Sequence, residues 1–111
     1  IDANKQQIDA AVACKAPIIE IHTGHFADAQ NDEQRASMLD GINDAIQYAH
    51  DQGLQVNAGH GLHYHNVQDI ACNPLVVELN IGHAIIADAV FHGLAASVGE
   101  MKRLIVEARG N

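Results

Sequence analysis

The chain has 111 residues, 48% hydrophobic and 18% charged, with 14 acidic and 6 basic side chains and a formal net charge of −8 with histidines neutral. This is enough for one ordered globular domain with a real core, and it excludes the low-hydrophobicity composition of disordered chains. The acidic balance argues against a general electrostatic grip on nucleic acid, and no apolar run approaches the roughly 18–20 residues of a membrane span, so no nucleic-acid or membrane partner is expected.

In chain order, Ile1-Asp2-Ala3 lacks a methionine and reads as the end of a strand followed by a helix start, which suggests a piece of a longer chain. A helix is predicted over Asn4 to Lys15, with Ile8, Ala11, Val12 and Cys14 at helical spacing. Pro17 ends it, and the β-branched run Ile18-Ile19-Glu20-Ile21-His22 reads as a strand. A loop with Gly24 follows. Asn31 is a good N-cap with Gln34 placed for a capping box, and the helix it opens lines up Leu39, Ile42, Ile46 and Ala49 before Gly53 stops it. The second strand is Leu54 to Ala58, leading into Gly59-His60-Gly61. A short helix over Asn66 to Ala71 stops before Pro74. The third strand is Leu75 to Ile81, ending at Gly82. Helices over His83 to Phe91 and Ala95 to Ala108 complete the chain, the second with Val98, Met101, Leu104 and Ile105 on one stripe. Cys14 and Cys72 lack CxxC spacing and read as free thiols. No basic, Leu-rich leader opens the sequence, so a soluble, cytoplasmic protein is expected.

Strand alternating with helix is the pattern of parallel βαβ units, and no linker or second domain interrupts it, so residues 1–111 are read as one partial domain. The strands are not the continuous apolar runs of a sheet buried on both faces. Ile19 and Ile21 alternate with Glu20 and His22; Leu54 and Val56 with Gln55 and Asn57; Val77, Leu79 and Ile81 with Glu78 and Asn80. With a period of two, each strand has an apolar face for helices and a polar face that must be shared. A barrel interior accommodates this as a wet, reactive lumen, so the expected class is α/β, the C-terminal part of a (β/α)₈ TIM barrel. The plainer alternative is an antiparallel sheet with one solvated face, against which the helical connections argue.

Barrel sites lie at the C-terminal strand ends. Here those ends read His22-Thr23-Gly24-His25, Asn57-Ala58-Gly59-His60-Gly61 and Asn80-Ile81-Gly82-His83, each pairing glycine with histidine. His60, between two glycines, is the candidate general acid or base, with a structural histidine as the rival. Glu20 sits where it stabilises developing positive charge or orients a neighbour, the alternative being a carboxylate in a structural network. Gly61, Gly82 and His83 fit a phosphate site through their N–H groups, though each glycine also suits an ordinary tight turn. His60, His63 and His65 invite a metal reading, but H-x-x-H-x-H matches no ligand motif, so neither metal nor cofactor is expected.

The segments Ala16–Gly24, Val56–Leu62 with Tyr64–Val67, Glu78–Ile86, and Glu100–Leu104 with Glu107–Gly110 resemble the pyridoxine 5′-phosphate synthase family over nearly the whole chain. The resemblance implies vitamin B6 biosynthesis by a homo-oligomeric transferase-type enzyme. It condenses 1-deoxy-D-xylulose 5-phosphate with 3-amino-2-oxopropyl phosphate, closing the pyridine ring and releasing phosphate and water. By motif position it implies that His60 is the proton donor, that Glu20 stabilises the transition state, and that Gly61, Gly82 and His83 bind the aminoketone phosphate. The family's other catalytic histidine and glutamate, and the arginines near its second substrate, belong to the first half of the barrel and have no counterpart here, so the isolated segment is expected to be inactive. Ala87-Asp88 stands where the family carries Gly-Arg, which questions the local surface or a subunit contact. A second reading is a non-enzymatic half-barrel module that self-associates and binds phosphate or metal.

Overall fold

The computed structural model describes residues 1–110. Its elements are α1 (Lys5–Ala13), β1 (Ile18–His22), α2 (Gly24–Ala27), α3 (Asp32–Asp51), β2 (Gln55–Gly59), α4 (Val67–Ala71), β3 (Val76–Asn80), α5 (His83–His92) and α6 (Leu94–Ala108). The three strands form one parallel sheet in the order β1-β2-β3, alternating with helices. The chain is therefore an α/β protein built from consecutive βαβ crossovers, and the antiparallel alternative is set aside.

Local chemistry sets the boundaries. Asn4 caps α1 by accepting from the Gln7 N–H at 3.1 Å. Asn31 caps α3 by accepting from Gln34 N–H at 2.8 Å, and the Gln34 amide reaches back past the cap to the Gln30 N–H at 2.6 Å. Gly53 takes φ +88° directly after α3, the left-handed conformation that reverses a chain at a helix end. β1 has the bounds read from the sequence, and the ends of β2 and β3 each differ from that reading by one residue, the usual scatter where pairing frays.

The apolar faces of β1 and β2 meet α3. Ile19, Ile21, Val56 and Ala58 lie in one buried cluster with Ile42, Ala45, Ile46 and Ala49, joined by Ile8 of α1. Tyr48 ties α3 to α1 by donating to Asp9 Oδ1 at 2.5 Å. That hydrogen bond raises the phenol above its ordinary range, because ionising Tyr48 would place its charge against the carboxylate.

Four expectations are corrected. The stretch after β1 is not simply a loop: Gly24–Ala27 coils into α2 and buries Phe26 completely. In β3 the buried valine is Val76, not Val77. The pairing runs Val56 to Val76 and then Asn57 to Glu78, so Val77 is the extra residue of a bulge and lies 64% exposed. On α6 the inward stripe runs through Ser97 and Met101, both buried, while Val98 faces out; α6 packs on α4 and α5 and follows their side of the helix. On α1 only Ile8 is buried; Val12 is exposed, and Cys14 is the exposed cap.

Asp88 joins α5 to α6. Ser97 Oγ donates to Asp88 Oδ2 at 2.6 Å, and His92 Nδ1 lies 3.1 Å from Oδ1. The Ser97 hydrogen bond, with a smaller contribution from His92, holds this carboxyl below its usual range. Truncating the core tests the packing described: Ile46→Ala, at a position with no solvent exposure, is expected to destabilise the fold by about 2–5 kcal/mol. Met38→Ala on the exposed side of α3 should change stability by less than about 0.5 kcal/mol. Equal effects in denaturant unfolding would contradict the placement of α3.

Candidate functional site

The polar face of the sheet is a hydrogen-bonded surface. Register places Glu20 beside Asn57 and Asn57 beside Glu78. Asn57 Nδ2 donates to Glu78 Oε2 at 3.0 Å and its Oδ1 accepts from Gln55 Nε2 at 3.3 Å, which satisfies the buried amide. Asn80, at the end of β3, donates through Nδ2 to Glu20 Oε1 at 2.7 Å. The bond spans from β3 to β1 across β2, and Gly59 is what allows it. A Cβ at Gly59 would stand 2.7 Å from the Asn80 carbonyl oxygen and 2.8 Å from Glu20 Oε1.

At the carboxyl end of this face a cleft of about 610 Å³ opens, lined by Glu20, His60, Gly61, His63, Asn80, Gly82 and His83 among others. This is within the size range of small-molecule sites. All five residues singled out from the sequence, Glu20, His60, Gly61, Gly82 and His83, therefore share one cavity, although they come from the middle of β1 and from the ends of β2 and β3.

Each is placed by its own local structure. His60 and Gly61 both have positive φ, +93° and +76°. Gly61 also packs so tightly on α2 that a Cβ there would come within 2.6 Å of the Ala27 methyl. His60 is exposed on the cleft side and stacks against His22, with ring centroids 4.3 Å apart and planes 24° from parallel. Gly82 is the N-cap of α5 and has no side chain to cap it, and His83 is the helix's first residue. The first-turn N–H groups and the positive end of the helix dipole thus border the cavity.

His63 is held below its ordinary pKa, chiefly because burial penalises the imidazolium and secondarily through the nearby positive charges of His65 and Arg35. Its Nδ1 accepts from the His65 N–H at 3.1 Å. Among the described residues no three His, Cys, Asp or Glu side chains converge as a metal ion would require. Both cysteines are free and exposed. No helix among the described residues is long and apolar enough to cross a membrane. Ala87 lines the cleft, whereas Asp88 is turned to α6 by its bond from Ser97.

Asn80, His22 and Thr23 were not singled out from the sequence as site residues. Asn80 lies two residues beyond Glu78 on the same face, so strand periodicity carried the signal for it. Contacts between different strand ends identify the other two.

Fold and site together define a parallel α/β protein whose ionisable groups gather at the carboxyl ends of its strands. Comparison with known sequences gives the family. The model described as "Pyridoxal phosphate biosynthesis protein PdxJ" matches residues 1–107, and the chain belongs to that family. Over 109 residues, 98% of the chain, it is 58% identical to a protein named pyridoxine 5′-phosphate synthase from Colwellia psychrerythraea. Identities to proteins of the same name from Pseudoalteromonas translucida and Photobacterium profundum are 57% and 53% over the same length. The chain spans 44–45% of the length of these relatives.

Gly59→Ala tests the construction of the site. Its methyl meets a backbone carbonyl that cannot swing aside, so a loss of about 1–3 kcal/mol is expected, with Glu20 displaced from Asn80. Gly82→Ala meets no atom within 4 Å and its φ of −127° suits any residue, so unfolding measurements should find it near wild type. The reverse order of stabilities would show that the strand ends are arranged differently.

Proposed function

We propose that residues 1–111 are the C-terminal part of a (β/α)₈ barrel of a pyridoxine 5′-phosphate synthase, an enzyme of vitamin B6 biosynthesis. It condenses 1-deoxy-D-xylulose 5-phosphate with 3-amino-2-oxopropyl phosphate and acts in the cytoplasm as a homo-oligomer. One observation carries the reading: Glu20, His60, Gly61, Gly82 and His83, from three successive βα units, line a single cleft. Family membership and the names of the relatives support the reaction.

The chemistry asks for what these groups can supply. Joining an amine to a ketone expels water and places positive charge on nitrogen, and closing the ring also expels phosphate. Each departing oxygen needs a proton, and His60 as general acid delivers it. Glu20, oriented through Oε1 by Asn80, keeps Oε2 available to stabilise the cationic nitrogen. The aminoketone phosphate is held by N–H groups at Gly61, Gly82 and His83, where the start of α5 favours an anion without any lysine. This is how a chain of net charge −8 accommodates phosphorylated substrates.

The competing reading, a non-enzymatic module, draws on a different observation. α5 buries none of its residues, and Ile86, Val90, Phe91 and Leu94 are all exposed, Phe91 at 84%. A patch of this kind favours association. The 111-residue chain is expected to sediment above its monomer mass at micromolar concentration, with Val90→Ser/Phe91→Ser shifting it toward monomer. A well-behaved wild-type monomer would count against self-association in either reading.

Turnover separates the two. The isolated chain should form no pyridoxine 5′-phosphate from both substrates. Joined to an upstream barrel half it should, and His60→Asn in that enzyme should lower kcat by about 10²–10⁴-fold. Product from the isolated chain would overturn the division of catalytic groups. A joined enzyme that binds inorganic phosphate but never turns over would favour the module.

A further inference from the structure

His60 has a backbone that side-chain-bearing residues rarely adopt. A histidine at φ +93° is strained, and such strain persists only where neighbouring groups over-determine it. Two groups from the end of β1 act here. The Thr23 N–H donates to the Gly59 carbonyl at 2.9 Å, continuing the β1–β2 ladder one step beyond the strands. The Thr23 hydroxyl then donates to the carbonyl of His60 itself at 2.6 Å. Thr23 is fully buried, so its hydroxyl has no water to turn to in place of that bond. One residue earlier, His22 lays its ring against the His60 imidazole at 4.3 Å, and its Nδ1 accepts from the Gly24 N–H at 3.2 Å, which fixes the ring that does the stacking.

We propose that Thr23 is a positioning residue for His60. Its buried hydroxyl holds the His60 peptide in the left-handed conformation, so that the imidazole, supported on its face by His22, is presented to the cleft. Thr23 itself does not line the cleft and acts through the His60–Gly61 peptide. Serine retains this function because it keeps the oxygen. Valine, nearly the same shape, loses it and turns a methyl group to the carbonyl of His60.

The inference rests on the acid/base reading of His60, and the experiment keeps the two distinguishable. In the active enzyme, this chain joined to its upstream barrel half, Thr23→Val is expected to lower kcat by about 10–100-fold, the scale of a misplacement near 1 Å. KM for 1-deoxy-D-xylulose 5-phosphate should change less than about twofold, and KM for the aminoketone phosphate should rise by no more than about fivefold, because the peptide that Thr23 holds also carries the Gly61 N–H assigned to that phosphate. Thr23→Ser should restore kcat to within about threefold. In a His60→Asn background, Thr23→Val should have no further effect on the residual rate, since residues acting as a unit are not additive.

If Thr23→Val does not fold, Thr23→Ala, which removes hydroxyl and methyl together, is held to the same split and the same non-additivity. Wild-type kcat in a folded Thr23→Val enzyme would overturn the proposal, and so would equal losses in the wild-type and His60→Asn backgrounds, which mark a purely structural threonine. Full activity in His60→Asn itself would instead overturn the acid/base assignment.

Discussion

The parallel register of β1, β2 and β3 is the constraint on which the rest of the structure depends. It sets Ile19 and Ile21 beside Val56 and Ala58 on one face, and Glu20 beside Asn57 and Glu78 on the other. Side chains alternate strictly, so slipping any strand by one residue would send carboxylates into the α3 interface and isoleucines into the cleft. Apolar packing on α3 thus fixes the polar face as well, and the position of Glu20 follows from the burial of its two neighbours. The bulge at Val77 belongs to the same account. By absorbing one extra residue, it returns Glu78 and Asn80 to the face where Asn57 and Glu20 bind them.

Small residues at the strand ends turn this ladder into a cavity. Gly59 leaves the space through which Asn80 reaches Glu20, and Gly61 lets the chain turn away against α2 at positive φ. Gly82 opens α5 with bare backbone N–H groups. Between the first two stands His60, whose strained backbone is held by hydrogen bonding from the neighbouring strand end. Strain of this kind is concentrated at functional sites, because a side chain aimed into a cleft needs a backbone that ordinary packing does not supply.

Ala87-Asp88 replaces the pair expected from the family resemblance, and the structure gives the aspartate an internal partner. Its carboxylate accepts from Ser97 and lies beside His92, linking the last two helices, while Ala87 remains at the cleft wall. The charge change is thereby absorbed within the chain, across the α5–α6 junction. Apolar side chains of α5 stay exposed, with Val90 and Phe91 the most exposed large hydrophobic ones there.

The amino-acid order alone determined the alternation of strands and helices, the cap at Asn31, the stop at Gly53 and the two-faced character of β1 and β2. These follow from periodicity and from what Asn, Gly and Pro permit in the backbone. It also carried the Gly–His strand ends, because glycine is needed where backbone must turn or approach closely. Which valine of β3 is buried, that α6 turns Ser97 inward instead of Val98, and that Thr23 holds His60 were decided only by tertiary structure. The physical reason is the same in each case. A bulge, a helix's rotation about its axis and a bond across 37 residues depend on how separate segments meet, and local periodicity carries no term for that meeting.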